Sequence, residues 1–168
     1  MTVRTSRLAA QLDAAVAAAT SPIERRSRQA ERVILWARQG QLDEAQAAVD
    51  ALRTEAAFHP MPLPDVWLML ADGVLAYYRN LGREAGAQLQ AAHDAALALA
   101  DRQPAARTVA ALAAAWLAVP VFARNDASLL ARLLREAFDL SDAQQHAVRA
   151  RASLIAAVAY QVAGNTDR

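Results

Sequence analysis

The chain contains no cysteine and no lysine, only 5 glycines and 6 prolines, and an aromatic share of 5% over 168 residues. Without cysteine there is no disulfide scaffold, no thiolate nucleophile and no cysteine-based metal site. Few glycines and few β-branched residues argue against an all-β fold. Charge of one sign is also lacking: 18 arginines face 17 acidic residues for a net +1. That balance argues against a general nucleic-acid binder and against a charge-driven disordered tail. A long apolar run is missing too. The longest uncharged apolar run, Val109–Ala123, is bracketed by Arg107 and Arg124 and is shorter than the roughly 20 residues of a membrane span. What is present is alanine, 45 residues of it, followed by leucine. Both are strong helix formers. The composition predicts an all-α protein.

The start, Met1–Thr20, carries Arg4 and Arg7 ahead of an apolar stretch, which Gln11 and Asp13 interrupt. Its core is alanine rather than leucine, so it reads as an amphipathic leading helix of a cytoplasmic protein and not as a signal peptide.

Helix punctuation follows at regular intervals. Ser21-Pro22-Ile23-Glu24 combines an N-cap serine, a proline in the first turn and a glutamate placed for a capping box. That helix is predicted to stop at Gly40, and Leu42-Asp43-Glu44-Ala45 opens the next, which fades near Phe58. His59-Pro60-Met61-Pro62-Leu63-Pro64 is expected to be non-helical. Further helices are expected over 65–81, ended by Gly82, and over 83–101. Pro104 starts another, kinked at Pro120 and ended by Asn125. One follows from Asp126 or Ala127, and a last one, over 142–163 with a Ser141/Gln144 capping box, ends at Gly164.

The stops Gly40, Gly82, Asn125 and Gly164 recur about every 40 residues, in the range of helical repeats. Aligned on them, Trp36, Tyr78, Val121 and Tyr160 stand four residues before each stop. Ala45, Ala87 and Leu130 stand five residues after the first three. A large residue on a first helix and a small one on a second suits closely paired helices.

The segments Trp36-Ala37-Arg38-Gln39-Gly40-Gln41-Leu42-Asp43-Glu44-Ala45 and Tyr78-Arg79-Asn80-Leu81-Gly82-Arg83-Glu84-Ala85-Gly86-Ala87 resemble the tetratricopeptide repeat family. The family's early tryptophan is missing: Gln29, Ala71, Ala114 and Ser153 hold its place. The period also exceeds the family's roughly 34 residues. Such longer, divergent repeats look like those of bacterial signalling proteins. The resemblance implies a right-handed superhelix of about eight helices, with a leading helix at 1–20. The repeats then fall at about 21–63, 64–103, 104–140 and an incomplete 141–168. Leu154, Ile155, Val158, Tyr160 and Val162 spread apolar character around the last helix. This favours either a chain cut from a longer protein or a homodimer through that helix.

Chemistry is sparse. His59, His93 and His146 lack ligand spacing, and His93 and Asp94, adjacent on a helix, are expected to point apart. No HExxH motif, phosphate loop or nucleophile elbow is present, so the chain is read as non-enzymatic, without metal or cofactor. Arg25, Arg28 and Arg32 share a helical face, with Arg26 beside them. A phosphate site is one reading, and a solvated face interleaved with Glu24 and Glu31 outweighs it. Trp36, Tyr78 and Tyr160 are expected in the core, with Tyr77 and Trp67 more open.

Asp72 lies in the otherwise apolar Leu68–Leu75 and must face water, a groove or an arginine. The repeat resemblance implies a concave groove lined by Ile34 and Arg38, then Met69, Asp72, Ala76, Arg79 and Asn80. Ala115, Val119 and Phe122 continue it, and Arg151, Leu154 and Val158 close it. Arg38, Asp72, Arg79, Asn80 and Arg151 are its polar anchors. The alternative is an internal ion pair between Asp72 and a neighbouring arginine. A protein or peptide partner in this groove is the expected function. A sensory or dimerisation segment of a larger signalling protein (a diguanylate cyclase or LuxR-type regulator) and a small-molecule pocket are the alternatives.

Overall fold

A computed structural model describes residues 2–123, 126–141, 149–150 and 153. Among the described residues the chain is all helix. Seven helices run α1 Thr2–Ala18, α2 Pro22–Arg38, α3 Leu42–Phe58, α4 Pro62–Tyr78, α5 Gly82–Ala100, α6 Ala106–Ala123 and α7 Ala127–Leu140. The helix expected over 142–163 is described only at 149–150 and 153, which are helical. Gln144 of the capping box, the stop at Asn125 and Tyr160 lie outside the described residues. The chain forms two compact units, Met1–Gln88 and Leu89–Arg168.

In the first unit, α2 packs against α1, α3 and α4, and α3 also packs against α4. The serine cap of α2 follows its sequence signal, while the glutamate bonds one residue further back than a capping box requires. Ser21 Oγ accepts the Glu24 N–H at 3.1 Å, and the Glu24 carboxylate accepts from the Thr20 N–H at 3.4 Å. The proline-rich segment departs from expectation, because α4 begins at Pro62 rather than after Pro64. A first-turn residue has no carbonyl four positions back to bond, so the missing N–H groups cost nothing there. Met61 cannot cap with its side chain. Instead its N–H donates to the Asp65 carboxylate at 2.9 Å.

The turns correct the repeat register. Gly40, at φ +80°, is the left-handed residue after α2, but the one after α4 is Asn80, at φ +61°, and not Gly82. Asparagine tolerates this region. The bonds match around the two residues. The Gln41 N–H reaches the Trp36 carbonyl and the Leu81 N–H reaches that of Ala76, both at 3.0 Å. Gly82 is the first residue of α5. Pro22 and Pro62, Gly40 and Asn80, and Leu42 and Gly82 therefore occupy equivalent places forty residues apart. Ala45 is matched by Ala85, and both are fully buried. Ala87, expected there, is exposed. Trp36 is matched by Ala76, not by Tyr78.

Replacing Asn80 with glycine is expected to stabilise the chain by about 0.5–1 kcal/mol, and Gly40→Ala to destabilise it by about 1 kcal/mol. A Cβ at Gly40 meets no atom within 4 Å, so only its backbone angle opposes alanine. Urea midpoints at unchanged m-value measure both effects.

The core of the first unit is Ala30, Val33 and Leu35 of α2, Val49 and Leu52 of α3, and Val66, Trp67, Leu70, Val74 and Leu75 of α4. In the second unit α6 packs against α7. α6 is buried around nearly its whole circumference, from Ala106 to Val121, with Trp116 among its alanines. That pattern accounts for the long uncharged run at 109–123. α7 starts on Asp126, whose carboxylate accepts the Leu129 N–H at 3.0 Å. It buries one stripe, Leu130, Leu133, Leu134 and Ala137.

Candidate functional site

The residues expected to line a groove separate into three groups. Arg38, in the last turn of α2, is exposed and makes no ion pair or hydrogen bond among the described residues. Ile34 and Met69 are half-buried, and Asn80 is exposed at its left-handed turn.

Asp72 and Arg79 have partners, both on α3. Asp72 pairs with Arg53, which also reaches Asp50 at 3.3 Å. This is the internal ion pair, formed from helix to helix. The Asp72 side chain is 18% exposed and that of Arg53 47%. Arg79 donates to the Leu42 carbonyl at 3.3 Å and lies 3.6 Å from the Asp43 carboxylate. Arg38, Asp72 and Arg79 do not meet one another. Ala76 and Ala115 are buried, and Val119 is half-buried. Phe122 belongs to α6, but its side chain lies outside the described residues, as do Arg151, Leu154 and Val158.

On the basic face at the start of α2, Arg26, Arg28 and Arg32 are paired, while Arg25 is exposed without a partner among the described residues. Arg28 bonds Glu31 at 2.8 Å. The hydrogen bond and charge of Glu31 hold the Arg28 guanidinium above its ordinary pKa. Arg32 pairs with Asp13 of α1 at 2.9 Å and stacks over Trp36, 4.2 Å from the ring centroid. Arg26 is buried, with its side chain 2% exposed. It donates to the His59 carbonyl and to Glu55 Oε1, both at 2.6 Å. Nothing in the local sequence separates Arg26 from its neighbours. Only the helical phase, which puts it beside Ala30 and Val33 on the inner face, could have found it.

The aromatics also exchange roles. Trp67 and Trp116 are buried, while Trp36 is half-buried. Trp36 walls a cleft of about 250 Å³ with Gln29, Arg32, Ala48, Ala51, Leu52 and Glu55. Tyr77 and Tyr78, both half-buried, meet edge to face at 5.3 Å.

In the second unit His93 is buried, contrary to the solvated or partly packed histidine expected. Its Nδ1 lies 3.3 Å from Asp94 Oδ1, so the two neighbours do approach each other. Its Nε2 lies 3.3 Å from Glu136 Oε1 of α7, out of line for a hydrogen bond. These residues line an open cleft of about 470 Å³ with Gln90, Arg132, Arg135 and Asp139.

Among the described residues no cluster of three potential ligand side chains could hold a metal ion. None of their helices is long and apolar enough to cross a membrane. No family model, curated protein or solved structure matches the chain.

Proposed function

We propose that the chain is a protein-interaction module, a TPR-like right-handed superhelix that takes a peptide or a partner helix on its first helices. The forty-residue equivalence of α2–α3 and α4–α5, with matching turns, supports the repeat. The observation that carries the binding reading is Arg38. It is an exposed cation without a partner among the described residues, in the same unit as the half-buried Ile34 and Met69. The expected partner is a helix with apolar residues for Ile34 and Met69 and a carboxylate for Arg38. Asp72 and Arg79 contribute by holding α4 against α3, not as anchors for the partner.

Peptides selected from a displayed helical library against the purified chain provide the test. Arg38→Glu combined with Met69→Asp is expected to weaken the selected peptides at least about tenfold, equivalent to about 1.4 kcal/mol. Arg132→Glu in the second unit is expected to leave them unchanged. Peptides that bind both variants as well as the native chain overturn the reading.

A further inference from the structure

An ion pair joins α1 to α2, and another joins α3 to α4. The first is Asp13 with Arg32, at 2.9 Å; the second is Arg53 with Asp72. In the forty-residue register that equates Gly40 with Asn80, position 13 corresponds to 53 and position 32 to 72. The two pairs therefore sit at equivalent places with their charges exchanged. The helices that carry them are equivalent as well. α1 and α3 are 17 residues each, and so are α2 and α4. α1 packs on α2 as α3 packs on α4. Ala9 and Leu12 of α1 stand where Val49 and Leu52 stand in α3, apolar in both. The seats themselves differ in packing, with Trp36 of α2 where α4 has Ala76 and Gln29 where it has Met69. Charge therefore acts beside shape, and stacked repeats of one chain are open to exchange with those of another.

We infer that the exchanged polarity of these pairs adds a charge discrimination to which helix seats on which, and disfavours insertion of a second copy's α1 or α3 into the wrong seat. With α1 of one copy on α4 of another, Asp13 would face Asp72. With α3 on the other copy's α2, Arg53 would face Arg32. Each correct seat gains an attraction, and each wrong seat meets like charges. Exposed pairs add little to stability on their own. Their effect here is on specificity, through the repulsion built into the alternative.

Charge-exchange variants that leave the net charge unchanged test this. Asp13→Arg with Arg32→Asp keeps the α1–α2 pair attractive but gives both seats the same polarity. Arg53→Asp with Asp72→Arg does the same from the other side. Both double variants are expected to dimerise about tenfold more readily than the native chain, as two pairs of this kind would give. Light scattering over a concentration series reads the dimer fraction, and circular dichroism checks helicity. All four substitutions together restore opposed polarity and are expected to return the native association state. The inference is overturned if neither double variant associates more than the native chain, or if the quadruple variant associates as strongly as the doubles. Should one double variant fail to fold, the other carries the comparison.

Discussion

Arg26→Ala is expected to destabilise the chain by about 3 kcal/mol, the low end of the range for breaking a buried charged pair. Arg26 lies on the inner face of α2, and its two short bonds reach Glu55 in the last turn of α3 and the carbonyl of His59 just beyond it. Asp65 in the first turn of α4 adds a carboxylate oxygen at 3.9 Å. One guanidinium thus ties α2 to both sides of the proline-rich connection. Alanine would leave the His59 carbonyl without its donor and open a void beside the core. Glu55 is half exposed and regains water, which keeps the loss from growing larger. Arg26 Nε is buried without a partner, a cost the native chain already carries.

A second variant separates charge from packing. The residue equivalent to Arg26 in α4 is Val66, also buried, so the place accepts an apolar side chain. Arg26→Met keeps most of the volume and is expected to recover about half of the alanine loss, since apolar replacement of buried pairs is often tolerated. Urea denaturation of the three chains measures this. Limited proteolysis between His59 and Met61 should quicken in both variants. An alanine variant within about 0.5 kcal/mol of the native chain, the range of an ordinary surface substitution, would show that Arg26 does not hold the connection.

The parts of the molecule legible in the sequence are those set by local chemistry. The Ser21–Glu24 cap, the stop at Gly40, the opening of α3 at Leu42 and its end at Phe58 each depend on residues within four positions of one another. Asn80 was harder, because Gly82 stands two residues on and glycine is the commoner left-handed residue. Only the backbone decides between them. The groove residues were harder still. Whether Asp72 faces a ligand or an arginine depends on Arg53, nineteen residues away on a different helix, and no periodicity within one helix reports that distance. Arg26 and His93 were missed for a related reason. A charged or polar residue reads as surface until its partners on other helices are known. Arg26 needs Glu55 and His59, and His93 has Glu136 of α7 beside it.

The corrected register predicts different costs for two alanines in one helix. Ala85→Leu is expected to destabilise the chain by about 1–3 kcal/mol, because three added carbons enter a filled site. Ala85 is fully buried and equivalent to Ala45, also fully buried. Each is the first residue inside its helix to close a turn, its N–H bonding the carbonyl four back, Gln41 for Ala45 at 3.1 Å and Leu81 for Ala85 at 2.8 Å. A larger side chain there would have to push the helix away from the turn that fixes it. Ala87→Leu, two residues on, places the same carbons in water and is expected to change stability by less than about 0.5 kcal/mol. Leucine and alanine are both good helix formers, so propensity contributes little to either result. If Gly82 rather than Asn80 marked the repeat, the costs would be reversed, with Ala87 the sensitive position. Thermal and urea unfolding of Ala45→Leu, Ala85→Leu and Ala87→Leu decides it: the first two should fall together and the third should match the native chain. A loss at Ala87 comparable to that at Ala45 would refute the forty-residue register, and the exchanged-polarity argument would fall with it.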